Sequence, residues 1–137
     1  MELILSDVPD EGEEKQILDG LWGYNHQFSP VHIHPLRIVL KDPTGNLQGG
    51  IIARTWWGGL EIQYLWIGEM SRRKGYGRTL MTTAEEEARM RGCHFAYVDT
   101  LSFQASGFYK NLGYSEYGNL GGFAHKFSRH YLFKVFR

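Results

Sequence analysis

Six residues, Arg72-Arg73-Lys74-Gly75-Tyr76-Gly77, constrain this chain more than any other stretch. They follow an apolar run, Ile62-Gln63-Tyr64-Leu65-Trp66-Ile67, and lead into residues 78–91, whose pattern predicts a helix. A strand ending in a basic, glycine-punctuated turn that flows into a helix suits an anion. Glycines admit backbone N–H groups, the helix N-terminus adds partial positive charge, and the basic side chains add whole charges. The stretch therefore points to a phosphorylated small molecule.

Whole-chain properties bear on which anion. Fifteen Lys and Arg balance 15 Asp and Glu, so no global basic field gathers nucleic acid and no nucleic-acid partner is expected. At 137 residues the chain suits one domain, residues 1–137, with a core that needs no metal or disulfide staple. Cys93 is the only cysteine, which rules out an internal disulfide and is expected to be inert packing. The first seven residues lack the basic region of a signal peptide, and no apolar stretch approaches the roughly 20 residues of a membrane helix. The expectation is a cytoplasmic protein with no membrane attachment.

Periodicity and turn residues give a mixed α/β order. Leu3-Ile4-Leu5 reads as a short first strand. Residues 10–27 place Ile17, Leu18, Leu21 and Trp22 on one helical face, while Gly20 and Gly23 predict a weak or broken helix in two pieces. Residues 36–41 and 47–57 read as a hairpin around Asp42-Pro43-Thr44-Gly45-Asn46, with the next strand over 60–67. In the following helix Leu80, Met81, Ala84 and Ala88 share a face, and Arg78, Glu85, Glu86, Arg89 and Arg91 lie elsewhere. A strand over 95–98, a helix over 104–112 and two strands over 114–119 and 129–136 complete the chain. Residues 121–125 read as a flexible stretch able to close over a substrate.

Two phosphate loops fit poorly. Gly75-x-Gly77 opens a dinucleotide fingerprint with Asp99 placed for a ribose, but Leu80 stands where the third glycine belongs. No Gly-Lys-Ser/Thr follows, which excludes a Walker loop. The bland alternative is a solvated basic turn.

Arg72-x-x-Gly75-x-Gly77 at a strand-to-helix turn resembles the acyl-coenzyme A loop of the Gcn5-related N-acetyltransferases (GNAT). The likeness continues in Leu65-Trp66-Ile67, which resembles that family's cofactor strand, and in Ala105-x-x-Phe108-Tyr109-Lys110-Asn111-Leu112-Gly113-Tyr114, which resembles its later helix. Together these span residues 60–114. Ser71 and Arg73 depart from the pattern, standing where an aromatic residue and a glycine are commoner. The resemblance implies a mostly antiparallel mixed sheet flanked by helices, with a splayed central strand pair holding acyl-CoA. It implies acetyl-CoA as cosubstrate, a small-molecule amine as acceptor, and direct attack of that amine on the thioester. The alternatives are an acyl-CoA-binding sensor without catalysis, or a protein or peptide N-acetyltransferase.

The resemblance also implies residue roles. Backbone groups of Leu65, Trp66 and Ile67 would pair with the pantetheine arm, and one N–H would stabilise the oxyanion. Arg72, Arg73, Lys74, Gly75, Tyr76, Gly77 and Arg78 would hold the pyrophosphate. Tyr109 would protonate the leaving thiolate, unless Phe108 and Tyr109 only anchor their helix.

Glu61 is the first candidate for general base, with Asp99 a rival that could instead organise its turn. Strand alternation puts Glu61, Gln63 and Leu65 on one face and Ile62, Tyr64 and Trp66 on the other. Asn25, His26, Phe28 and Trp57 are candidate acceptor contacts. His32-x-His34 lacks a third nearby ligand, so no metal is expected. Strand edges and aromatic content are compatible with a homodimer.

Overall fold

The computed structural model describes residues 1–137, which form two compact units, Met1–Val31 and His32–Arg137. The first unit is built on α1 (Glu11–His26), which is continuous rather than broken at its glycines. The Asp10 side chain caps it by accepting the Glu13 N–H at 2.9 Å, Glu11, Glu13 and Glu14 face its positive end, and Lys15 pairs with Asp19 one turn on. An interior glycine costs about 1 kcal/mol relative to alanine. A good cap contributes about 0.5–2 kcal/mol, and charges matched to the dipole about 0.3–1 kcal/mol each. These offset the two glycines. The strand expected at Leu3-Ile4-Leu5 is not formed, since three residues offer too few ladder bonds to hold one alone.

The second unit contains β1 (His34–Lys41), β2 (Leu47–Trp56), β3 (Gly59–Ile67), α2 (Tyr76–Met90), β4 (Phe95–Leu101), α3 (Ser106–Asn111), β5 (Ser115–Phe123) and β6 (Phe127–Val135). The six strands form one sheet in the order β1-β2-β3-β4-β6-β5, antiparallel except between β3 and β4. This is the mixed, mostly antiparallel architecture expected. The β1–β2 turn forms where the sequence places it, with Asp42 Oδ1 accepting the Thr44 and Asn46 N–H groups, both at 2.9 Å.

The core lies between the sheet and α2. Ile51, Leu60, Ala96 and Leu132 from four strands meet Met81, Ala84 and Ala88 from the helix. Glu85 is a correction to the helical reading: it is buried, because Tyr114 and Lys134 both donate to its carboxylate. Helix α3 starts later than expected. Gln104 and Thr100 instead tie the loop, Gln104 Oε1 accepting the Leu101 N–H at 2.7 Å and Thr100 Oγ1 accepting the Ala105 N–H at 3.3 Å.

Two irregularities position the site. Strands β3 and β4 pair only over residues 59–62 and 95–98. Beyond Ile62, β3 is paired with β2 alone and β4 with β6 alone, so a gap opens in the middle of the sheet. On β3, Tyr64 faces Ile52 while Ile62 faces Ala53, so Gln63 is an extra, bulged residue.

Candidate active site

The bulge overturns the expected alternation. Leu60 and Ile62 face the core, and past Gln63 the core-facing set becomes Leu65. Glu61 therefore shares the opposite face with the exposed Tyr64 and Trp66, not with Leu65.

The gap opens into a cavity of about 650 Å³ whose walls include Glu61 and Leu65 from β3, Tyr97 and Asp99 from β4, Tyr109 from α3 and Arg129 from β6. Tyr109 is 5% exposed, and loss of hydration, reinforced by the charge of Asp99, pushes its phenol up to about 12. It is thus a protonated hydroxyl at neutral pH. Glu61 is held on both oxygens: Arg54 Nε donates to Oε2 at 2.6 Å, and the Tyr97 hydroxyl donates to Oε1 at 2.8 Å. Tyr97 in turn accepts the Trp56 indole N–H at 2.9 Å, and burial followed by the Glu61 hydrogen bond pushes its phenol up. Asp99 faces Arg129, whose Nε and Nη2 approach at 2.9 and 2.7 Å.

A second cavity, about 980 Å³, lies at the basic loop. Its lining takes in Leu65, Trp66 and Ile67, then Arg72, Arg73, Gly75, Tyr76, Gly77 and Arg78, but not Lys74. Arg72 Nε donates to the Ile67 carbonyl at 2.9 Å, which ties the loop to the end of β3. The turn is made by two left-handed residues, Arg73 at φ 62° and Gly75 at φ 83°. Gly75 caps α2 without any side-chain bond, and the first backbone bond back to it comes from Thr79 at 3.1 Å. The N–H groups of Tyr76, Gly77 and Arg78 therefore have no acceptor within the helix, and no acidic residue sits in the first turn. At Gly77 a Cβ would lie 3.2 Å from the Phe108 ring, so the small residue brings α2 close to α3. Leu65, Trp66, Gln104 and Ala105 line both cavities and join them.

The acetyltransferase (GNAT) family model matches residues 5–114. The chain is 38% identical over 122 residues to acetyltransferase Atu2258 of Agrobacterium fabrum, covering 88% of this chain and 89% of that protein. It is 39% identical over 71 residues to the blasticidin-S acetyltransferase of Streptomyces morookaense, covering 51% and 52% of the two. A crystal structure of a candidate acetyltransferase from Agrobacterium tumefaciens superposes with a TM-score of 0.94 at 36% identity, covering 99% of this chain and 100% of that one. The chain belongs to the GNAT acetyltransferase family.

As a GNAT acetyltransferase it is an acyltransferase, and the dinucleotide alternative falls away. Asp99, the ribose candidate of that alternative, lines the Tyr109 cavity and not the loop cavity. Of the other expected contacts, Asn25, His26 and Phe28 belong to the first unit and Trp57 to the second. Asn25 and His26 lie in the last turn of α1, and His26 Nδ1 accepts the Val31 N–H at 2.9 Å. Phe28 follows the helix and meets the Tyr24 ring edge-on at 5.2 Å. Trp57 stacks on Trp56 in the β2–β3 turn and lines neither cavity.

Residues 121–125 form the end of β5 and its turn, His125 N–H bonding to the Gly122 carbonyl at 3.1 Å, and Phe123 reaches the first cavity. The His32 and His34 rings stack with centroids 6.4 Å apart, and no group of three or more His, Cys, Asp or Glu is placed to hold a metal ion. No helix is long and apolar enough to cross a membrane. Sequence reasoning did not single out Arg54, Tyr97 or Arg129. Their only sequence signal is alternation with neighbours on the open face of the sheet.

Proposed function

We propose that this acetyltransferase moves an acetyl group from acetyl-CoA to a primary amine of a small molecule, by direct attack of the amine on the thioester. The observation that carries this reading is the meeting of two cavities at Leu65 and Trp66, one ending at an uncapped helix N-terminus and the other containing Tyr109. The first suits a pyrophosphate: three free N–H groups, a positive dipole end and the side chains of Arg72, Arg73 and Arg78 converge without a nearby carboxylate. Lys74 would add charge from outside the lining. The unpaired edge of β3 at Leu65, Trp66 and Ile67 would receive the pantetheine arm. What acetyl-CoA supplies there is an acetyl group activated as a thioester.

The residues then have separable tasks. An N–H on the open edge of β3, aimed at the thioester oxygen, would stabilise the charge that develops there, an effect of about 3 kcal/mol for a well-placed donor. Tyr109 holds its proton at Oη and would give it to the departing sulfur. The burial that weakens the phenol as an acid equally strips water from the thiolate and raises its proton affinity. Kinship with a blasticidin-S acetyltransferase supports a small acceptor over a protein tail, as does the absence of a net acidic charge on the chain.

The test is thiol release from acetyl-CoA across an amine panel that includes blasticidin S. Tyr109→Phe is expected to lower kcat by about 10²–10⁴-fold while the KM for acetyl-CoA stays near wild type. Unchanged kcat removes Tyr109 from the chemistry. Tight acetyl-CoA binding with no thiol release for any amine replaces the enzyme with a binding module.

A further inference from the structure

Two carboxylates flank the gap between β3 and β4, and their surroundings differ in a way that assigns them different work. Glu61 has a partner on each oxygen, Arg54 at 2.6 Å and the Tyr97 hydroxyl at 2.8 Å, and its side chain is only 20% exposed. Its charge is neutralised by the guanidinium and its orientation fixed by two strands. Asp99 is held differently. Both Arg129 contacts, Nε at 2.9 Å and Nη2 at 2.7 Å, fall on Oδ1. Oδ2 has no partner, the side chain is 41% exposed, and it opens into the cavity that holds Tyr109. Arg129 pairs with the carboxylate through Oδ1 without covering its second oxygen. A half-exposed carboxylate with an uncovered oxygen is a good dock for an ammonium.

We propose that Asp99 is the acceptor-binding carboxylate: its Oδ2 takes the ammonium of a cationic amine and holds it beside Tyr109, while Glu61 is a structural brace. The acceptor is therefore a primary amine that docks as its cation and gives a proton to solvent water at the half-exposed carboxylate before its lone pair attacks the thioester. This rests on the acetyl-transfer reading and deepens it. Asp99 and Tyr109 line the same cavity, and the charge of Asp99 is felt at the Tyr109 hydroxyl.

The test compares benzylamine with benzyl alcohol, nearly isosteric and different in charge, as ligands of the wild-type protein at pH 7, followed by tryptophan fluorescence. The amine is expected to bind about tenfold or more tightly than the alcohol, the range of a hydrogen bond to a charged group. Asp99→Asn keeps an acceptor for Arg129 and is expected to reduce that preference to about twofold or less, with Asp99→Ser behaving alike; Glu61→Gln is expected to retain it. No preference in the wild type, a preference that survives both Asp99 variants, or a loss confined to Glu61→Gln overturns the assignment. Thiol release is run in parallel. Its absence in the wild type rejects acetyl transfer and leaves the charge preference to be judged separately, whereas an Asp99→Asn enzyme with unchanged acceptor KM rejects the role of Asp99 alone.

Discussion

Glu85 is 5% exposed on the inner face of α2, where an unpaired carboxylate would be strongly disfavoured. Tyr114 Oη donates to Oε2 at 2.9 Å and Lys134 Nζ donates to Oε1 at 2.7 Å, so one side chain links α2 to the segment after α3 and to β6. Breaking a buried pair by removing one partner costs about 3–5 kcal/mol, discounted here because Lys134 is partly exposed and can rehydrate. Glu85→Ala is expected to lower the unfolding free energy in urea by about 2–3 kcal/mol, and Glu85→Gln by less because the Tyr114 bond survives. A loss below about 0.5 kcal/mol for the alanine variant would show that the network does not contribute.

The sequence hid this residue for a physical reason. A charged residue in a helical repeat reads as solvent-facing, and its partners lie 29 and 49 positions away. Glu61 was half legible on the same grounds: its place beside the cleft follows from the strand, but its neutralisation by Arg54 and Tyr97 depends on cross-strand register. The placement of Tyr109 on a helix was legible, because that helix and the Gly113-Tyr114 that follow are local in sequence.

At the scale of elements, the strand-turn-helix form of the basic loop was legible, since its glycines, charges and flanking periodicity all lie within a few consecutive residues. The bulge at Gln63 did not. Ile62, Tyr64 and Trp66 alternate smoothly in sequence, and only pairing to Ile52 and Ala53 reveals the extra residue. The loop's backbone yields a paired prediction. Gly75 at φ 83° is in the left-handed region with no neighbour to crowd a Cβ, so the cost of a substitution is conformational rather than steric. Gly75→Ala is expected to lower stability by about 1–2 kcal/mol and to weaken acetyl-CoA binding by loosening the turn. Arg73, at φ 62°, already carries such strain. Arg73→Gly is expected to change stability by less than about 1 kcal/mol, strain relief competing with the added freedom of the unfolded glycine. Calorimetry on the two variants checks the contrast. An alanine at position 75 that leaves the melting temperature unchanged contradicts the conformational argument.

For the molecule as a whole, the order of strands and helices was legible from residue 36 onward, because meander turns and the switch from period 2 to period 3.6 are local signals. The splay between β3 and β4 is a property of the assembled sheet. Assembly also sets the response of the protein to alkali. Tyr97, Tyr109 and Tyr114 lie in or beside the core, and burial is the main cause that pushes all three phenols above their ordinary value of 10. Below pH 10 the folded and unfolded chains both keep these protons, so the contribution to stability is fully present. Above it the unfolded chain releases them first, and stability falls as pH rises until each folded phenol titrates. For Tyr109 that window runs from pH 10 to about 12. Each phenol contributes a slope of about 1.4 kcal/mol per pH unit within its own window, so Tyr109 alone accounts for roughly 3 kcal/mol by its upper end. Urea unfolding from pH 8 to 11.5 is expected to give a plateau below pH 9.5 and a steep decline above it. Tyr109→Phe, whatever it does to stability at pH 8, is expected to make that decline shallower by close to one proton. A decline of equal steepness in wild type and variant would mean that the Tyr109 hydroxyl is not held protonated by the fold.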